Sequence, residues 1–162
     1  MAPSSQTAHA TLNASIFTVL PVFRFMRPAC EVHAGEELLA SMSGSTLRRV
    51  GEIEVGDCCY RIDGSNMIHT EGTTVATYVV VERFMRFTRV KLTDPVTLRE
   101  FDLRQRQMWC GSLILSEAGK PIAEFAQRWF QSKYRITAQE STPQSVLLLA
   151  IWLAAVAGVF NA

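Results

Sequence analysis

The sequence predicts a mainly β protein, a closed antiparallel β-barrel of about 10–12 strands around a central, hydrophobic C-terminal α-helix. The first observation behind this prediction is a series of short runs of alternating polarity between Leu38 and Thr137, with turn residues between them and no helical period. The second is the segment Val146–Phe160, which is apolar on every side. A helix without a polar face must be enclosed, and a barrel of this size needs a filled lumen, so each observation accounts for the other.

The N-terminal residues 1–15 are small, polar and without periodicity, so we expect a flexible tail before a single domain at residues 16–162. The apolar run that follows is interrupted by Thr18 and Pro21, and no basic segment precedes it. It therefore does not have the pattern of a signal peptide. We assign no strand before Leu38.

Ten candidate strands follow, each bounded by residues that favour turns, such as Asp63-Gly64 and Glu71-Gly72. They are Leu38–Met42, Leu47–Val55, Cys58–Ile62, Met67–Thr70, Thr73–Glu82, Phe87–Thr93, Arg99–Arg106, Met108–Leu115, Pro121–Gln127 and Lys133–Ala138.

One hairpin can be predicted in detail, with its turn at Asp94–Thr97. In that register Arg89 faces Asp102, Lys91 faces Glu100 and Val90 faces Phe101. One face of the hairpin is then ion-paired and the other apolar, as a half-buried sheet requires. Exposed pairs of this kind contribute only about 0–1 kcal/mol each to stability.

The last element is predicted as a helix over about 143–160. Ser141 or Thr142 would supply a hydroxyl cap and Pro143 the first helical residue; alternatively, Gln144 would complete a capping box with Ser141. The fifteen apolar residues from Val146 to Phe160 would be about 22 Å long, shorter than the roughly 20 residues that cross a bilayer. No lysine or arginine flanks the segment, so we expect a helix inside the barrel, with the Trp152 indole N–H bonded there.

The charges are divided unequally along the chain. The net charge is +1, with five basic and eight acidic residues up to Val80 and eleven basic and seven acidic residues after it. A near-neutral total argues against nucleic-acid binding. Most of the positive excess lies between Arg83 and Arg106, and Arg104 and Arg106 extend the predicted outer face of the hairpin without an evident acidic partner.

The sequence predicts no metal site, no cofactor and no catalytic site. The cysteines at positions 30, 58, 59 and 110 lack a CxxC spacing, and Cys58 and Cys59 would point to opposite faces of a strand, so we expect reduced and mostly buried thiols. The three histidines, His9, His33 and His69, are far apart, and no nucleophile, phosphate-loop or dinucleotide motif occurs. Trp109 and Trp129 are expected to pack at the barrel corners.

The C-terminal third resembles the closing module of the tubby C-terminal-like superfamily, which includes the LURP-one-related proteins and the phospholipid scramblases. The resemblance is carried by Gly119, Ile122, Ala123, Phe125, Arg128, Trp129, Phe130, Tyr134, Ile136 and the run Leu147–Ala155. The acidic residues that LURP-one-related barrels have before the last helix and near its end are replaced here by Pro143–Ser145 and Gly158. The acidic calcium-binding segment of the scramblases has no counterpart.

The resemblance implies a binding protein. We expect a non-enzymatic, cytoplasmic and monomeric barrel that also associates with the membrane periphery and binds a phosphoinositide or another anionic lipid headgroup, or a protein partner. Arg104 and Arg106 are the candidate lipid-binding residues. The alternatives are a scramblase-like or tail-anchored protein whose last helix enters the membrane, and an enzyme whose site is too dispersed to recognise.

Overall fold

The strands of this chain close into a twelve-stranded antiparallel barrel, as the sequence predicts. The computed structural model describes residues 16–24, 27–45, 49–84, 87–107, 110–127 and 133–157. The strands are β1 (Ile16–Arg24), β2 (Arg27–Ala34), β3 (Glu37–Ser45), β4 (Val50–Val55), β5 (Cys58–Asp63), β6 (Asn66–His69), β7 (Thr74–Phe84), β8 (Phe87–Asp94), β9 (Arg99–Gln107), β10 (Cys110–Glu117), β11 (Lys120–Gln127) and β12 (Tyr134–Ala138), and the helix is α1 (Gln144–Ala155).

Each strand pairs with its neighbours in the sequence, and β1 closes the barrel by pairing with β12. Strand β4 shows how the sequence specifies this wall: Gly51, Ile53 and Val55 are buried, whereas Glu52 and Glu54 between them are exposed. Successive side chains of a strand point to opposite faces, so strict alternation yields one apolar and one solvated face. The wall therefore has an apolar inner surface and a polar outer surface.

Strands β1 and β2 were not predicted. Pro21 suggested a break, but it pairs with Cys30 of β2 and lies beyond Val19, where the pairing of β1 with the described part of β12 ends. Proline is tolerated where a strand has a neighbour on only one side, because its missing N–H then removes no ladder bond. Phe17 and Val19 are fully buried, so β1 contributes to the core as the other strands do.

The β8–β9 hairpin has a different register from the predicted one. Lys91 pairs with Asp102 and Arg89 with Arg104, a shift of two residues, because the turn covers residues 95–98 rather than starting at Asp94. A two-residue shift keeps every side chain on its predicted face. The predicted ion pairs therefore still form, but diagonally, with Arg89 Nη2 3.0 Å from Asp102 Oδ1 and Lys91 Nζ 2.9 Å from Glu100 Oε1.

The helix begins one residue later than predicted and without a side-chain cap. Pro143 is the N-cap residue, and its carbonyl accepts the first helical bond from the Leu147 N–H at 3.0 Å. The Thr142 hydroxyl instead donates to the Ile122 carbonyl of β11 at 3.3 Å, which ties the approach to the helix to the barrel wall. Helix α1 ends at Ala155 rather than near 160; residues 158–160 of the predicted helix lie outside the described residues.

The helix fills the barrel lumen. Every residue from Val146 to Ala154 is at most 1% exposed, and the Trp152 indole N–H donates to the Ser43 carbonyl of β3 at 3.1 Å. None of the helical segments that the structure describes combines the length and hydrophobicity that a membrane crossing requires.

Candidate functional site

The outer wall over β7–β10 contains a cavity of about 430 Å³ at the predicted lipid-binding residues. Its lining is Glu82, Thr88, Arg89, Arg104, Gln105, Arg106 and Ile114. Three guanidinium groups against one carboxylate make this lining cationic. The structure therefore brings together both arginines that the sequence singled out and adds Arg89.

Arg89 and Arg104 are directly opposite each other in the β8–β9 pairing. Like charges at opposed positions of an antiparallel pair are destabilising, so the arrangement costs folding energy unless an anion balances it. Arg89 is partly neutralised by Asp102 on the same wall. Arg104 is exposed, and none of the described side chains forms an ion pair with it.

Arg106, which was predicted to lack an acidic partner, has one. Its Nη1 atom lies 2.5 Å from Glu124 Oε1 of β11, so the side chain reaches across β10. The sequence could not indicate this pair, because the two residues belong to strands that are not neighbours and are 18 positions apart. Both side chains are about half exposed, which leaves Arg106 accessible to a competing anion.

The ion pair between Arg99 and Glu117 on the same wall is bidentate. Arg99 Nε donates to Glu117 Oε1 at 2.8 Å, and Arg99 Nη2 donates to Glu117 Oε2 at 2.5 Å. These hydrogen bonds lower the pKa of the Glu117 carboxyl and raise the pKa of the Arg99 guanidinium. Two parallel hydrogen bonds between a guanidinium and a carboxylate are the strongest geometry for such a pair. Arg99 is therefore held by Glu117 and is not a candidate ligand residue.

The valines of β7 form an exposed apolar patch beside the cavity. Val79, Val80 and Val81 are 60%, 37% and 47% exposed, although alternation along a regular strand would bury the middle one. The cause is a bulge: Val80 pairs with Val90 but Glu82 pairs with Arg89, so β7 has one extra residue here. The sequence predicted the strand but not the bulge. The extra residue is a valine, like its neighbours, and valine is typical of regular strands as well.

The opposite wall is acidic. A depression of about 530 Å³ over β2–β4 has Glu31, Glu52 and Glu54 in its lining and a single cation, Arg27. Strand β3 lies six positions from β9 in the twelve-strand order, so this depression is across the barrel from Arg104. The unequal charge of the two sequence halves thus becomes an unequal charge of two walls.

The cysteines only partly follow the prediction. Cys30 is buried, and this burial, together with the charge of Glu31, raises the pKa of its thiol to about 12. Cys58 packs against the core, whereas Cys59 is exposed on the outer face, so the expectation of a buried thiol was wrong there. Desolvation and the charges of Glu54 and Glu52 raise the pKa of the Cys59 thiol. The side chain of Cys110 lies outside the described residues.

The described histidines, His33 and His69, each contact one neighbouring side chain. His33 contacts Glu31 at 2.9 Å, and the His69 ring packs edge-on against Tyr60 with centroids 5.4 Å apart. In the described ranges, no three histidine, cysteine, aspartate or glutamate side chains come together as a metal ion would need. His9, Trp109 and Trp129 lie outside the described residues.

Comparison with known proteins identifies no relative: no family model, no curated protein and no solved structure matches this chain.

Proposed function

We propose that this chain is a non-enzymatic binding module whose β7–β10 wall holds the phosphate-bearing headgroup of an anionic lipid. The observation that carries the proposal is the opposed pair Arg89 and Arg104 within a cavity that also contains Arg106. The resemblance of the C-terminal third to the tubby C-terminal-like superfamily supports a phosphoinositide as the first headgroup to test.

A phosphate group would relieve the cost of this arrangement. Guanidinium groups bind phosphate oxygens through two parallel hydrogen bonds, and two opposed arginines offer such forks from neighbouring strands. A headgroup would compete with Asp102 for Arg89 and with Glu124 for Arg106. Both carboxylates are more than a third exposed, so water can replace the hydrogen bonds that they would lose.

The same lining argues for binding rather than catalysis. Among the described residues that line the cavity there is no histidine and no cysteine, and the carboxylate of Glu82 is exposed. General acid–base and nucleophilic catalysis depend on groups with shifted pKa values held within hydrogen-bond reach of each other. A cluster of cations instead provides attraction for an anion. We accordingly place the protein at the cytoplasmic surface of a membrane, as a peripheral component.

The test is co-sedimentation of the protein with phosphatidylcholine vesicles, with and without a phosphoinositide, at low and high salt. We expect binding that requires the phosphoinositide and weakens with salt, because exposed charges are screened. Arg104→Glu should reduce binding at least about tenfold, since it replaces an attraction by a repulsion. Arg135→Glu, an equal charge change at an exposed position of β12, is the matched control.

Three results would contradict the proposal. Equal losses in both variants would show attraction by total charge rather than by the cavity. Binding that ignored headgroup and salt would support the alternative in which the C-terminal helix inserts into lipid. If the protein binds no vesicle, the proposal fails and a protein partner becomes the next ligand class to test.

A further inference from the structure

We infer that the valine bulge of β7 enters the hydrocarbon boundary of a bilayer beside the arginine cavity, so that the ligand is a lipid within a membrane and not a free anion. This inference rests on the proposed function and adds the apolar half of the contact. The bulge lies between Val80 and Glu82, with Val81 as the extra residue, and the exposed Val79 directly precedes it.

The valines and the arginines occupy one continuous surface. Val79 is opposite Lys91 of β8, and Glu82 is opposite Arg89, which is itself opposite Arg104 of β9. Strands β7 and β9 are two steps apart, and neighbouring strands are about 4.8 Å apart, so the bulge lies roughly 10 Å from the arginine positions. A single lipid headgroup region spans that distance.

The bulge accounts for the exposure of Val80 and Val81, whereas Val79, opposite Lys91, belongs to the regular outer face of β7. Val90, the cross-strand partner of Val80, is completely buried, although Val80 is 37% exposed. Bulges re-aim side chains and are common next to functional sites. A soluble anion would gain nothing from three exposed valines, whereas a bilayer buries apolar area and attracts cations at the same time.

The curvature of the barrel sets the two kinds of side chain at different depths. In a barrel of twelve strands, two steps correspond to about 60° around the wall. When β7 faces the membrane, β9 is therefore raised by several ångströms. The valines would then reach the acyl boundary while the longer arginine side chains lie at the level of the phosphates.

The charge distribution favours this orientation. On the contact side, four carboxylates are already held in ion pairs, Glu100 with Lys91, Asp102 with Arg89, Glu117 with Arg99 and Glu124 with Arg106. Glu82 is opposite Arg89 in the strand pairing. The wall with Glu31, Glu52 and Glu54 is across the barrel and would be turned away from an anionic surface.

The experiment compares two probes on the full chain: vesicles that contain phosphatidylinositol 4,5-bisphosphate, and its soluble headgroup, inositol 1,4,5-trisphosphate. The variant is the double substitution V79T/V81T, because threonine retains the strand preference of valine and removes apolar area. We expect vesicle partitioning to fall about tenfold, from the loss of roughly one buried methyl group at each position, with unchanged affinity for the soluble headgroup. Val96→Thr, at a 75% exposed valine in the β8–β9 turn, is the matched control and should change neither.

A gain-of-function variant makes the test independent of any loss of stability. Val81→Trp should raise vesicle partitioning severalfold, and Val96→Trp should not, because only the first residue lies in the proposed contact. Unchanged vesicle binding in V79T/V81T, or equal gains in both tryptophan variants, would overturn the inference while leaving headgroup binding by the arginines intact. The proposed function is tested separately, by the loss of soluble-headgroup binding in Arg104→Glu. Failure of the proposed function and failure of the bilayer inference are therefore distinguishable.

Discussion

At the scale of single residues, Trp152 shows what an enclosed helix requires of the wall around it. Its indole N–H is satisfied by the Ser43 carbonyl, as expected for a buried tryptophan. The ring needs space as well, and a pair of opposed glycines, Gly44 and Gly51, provides it where β3 and β4 meet. A Cβ atom at Gly51 would lie 2.7 Å from Cε2 and Cζ2 of Trp152, well inside contact distance.

Gly51→Ala should therefore destabilise the protein by about 1–3 kcal/mol, because the tightly packed lumen cannot move the indole away without repacking. Urea unfolding measures the change. Ser43→Ala is the control, since it retains the carbonyl that accepts the indole hydrogen bond, and it should shift stability by less than about 0.5 kcal/mol. A Gly51→Ala protein as stable as the wild type would mean that the indole does not occupy this slot.

The sequence established that Trp152 must find an acceptor but not which one. Ser43 is 109 positions away and belongs to a strand that no local pattern connects with the helix. The sequence also did not indicate that Gly44 and Gly51 make room for the indole, because glycine in a β sequence usually marks a turn. Long-range contacts of this kind depend on how the barrel closes. The alternation of polar and apolar residues along one strand does not specify which distant residues that closure brings together.

At the scale of elements, the β8–β9 hairpin shows both the reach and the error of pattern reasoning. The faces and the ion-paired partners were correct, but the register was wrong by two residues. Alternation specifies register only in steps of two, so the turn has to decide among the remaining choices. Here the Asp94 carboxylate accepts hydrogen bonds from the backbone N–H groups of Val96, at 2.9 Å, and Thr97, at 3.4 Å, which fixes the turn at residues 95–98.

That turn contains a leucine in a conformation that favours glycine. Leu98 has φ = 58° and a 78% exposed side chain, so it bears the cost of the left-handed region with little burial to offset it. Leu98→Gly should stabilise the protein by about 0.5–1 kcal/mol, measured as a higher melting temperature. Val96→Gly, two residues earlier and without a positive φ, should instead lower it. Equal effects of the two substitutions would contradict a strained Leu98.

At the scale of the whole molecule, the barrel and its helix form one folding unit. Strands β1 and β12 close the wall although more than one hundred residues separate them, so the ring forms only when the chain is complete to Ala138. The inner faces of the strands then surround α1, whose residues Val146–Ala154 are all buried. The fold class could be predicted from the sequence because the apolar helix needs an apolar enclosure and the strands need something to cover their apolar inner faces.

The candidate site could be predicted only in part. Arg104 and Arg106, which belong to the positive excess between Arg83 and Arg106, both line the cavity over β7–β10. Arg89 opposite Arg104, the Arg106–Glu124 pair and the valine bulge were not foreseeable, because they depend on register, on a strand beyond the neighbour and on an extra residue in β7.

The position of the helix gives the last prediction. Leu149→Asp should abolish cooperative folding, because an unpaired charge in the lumen costs a large fraction of the about 5–15 kcal/mol that stabilises a domain. Near- and far-ultraviolet circular dichroism during thermal unfolding measures the loss. Leu98→Asp makes the same exchange at an exposed leucine and should leave the fold intact. If Leu149→Asp remained folded, the helix would not be held inside the barrel, and a lipid-facing role for it would have to replace the buried one.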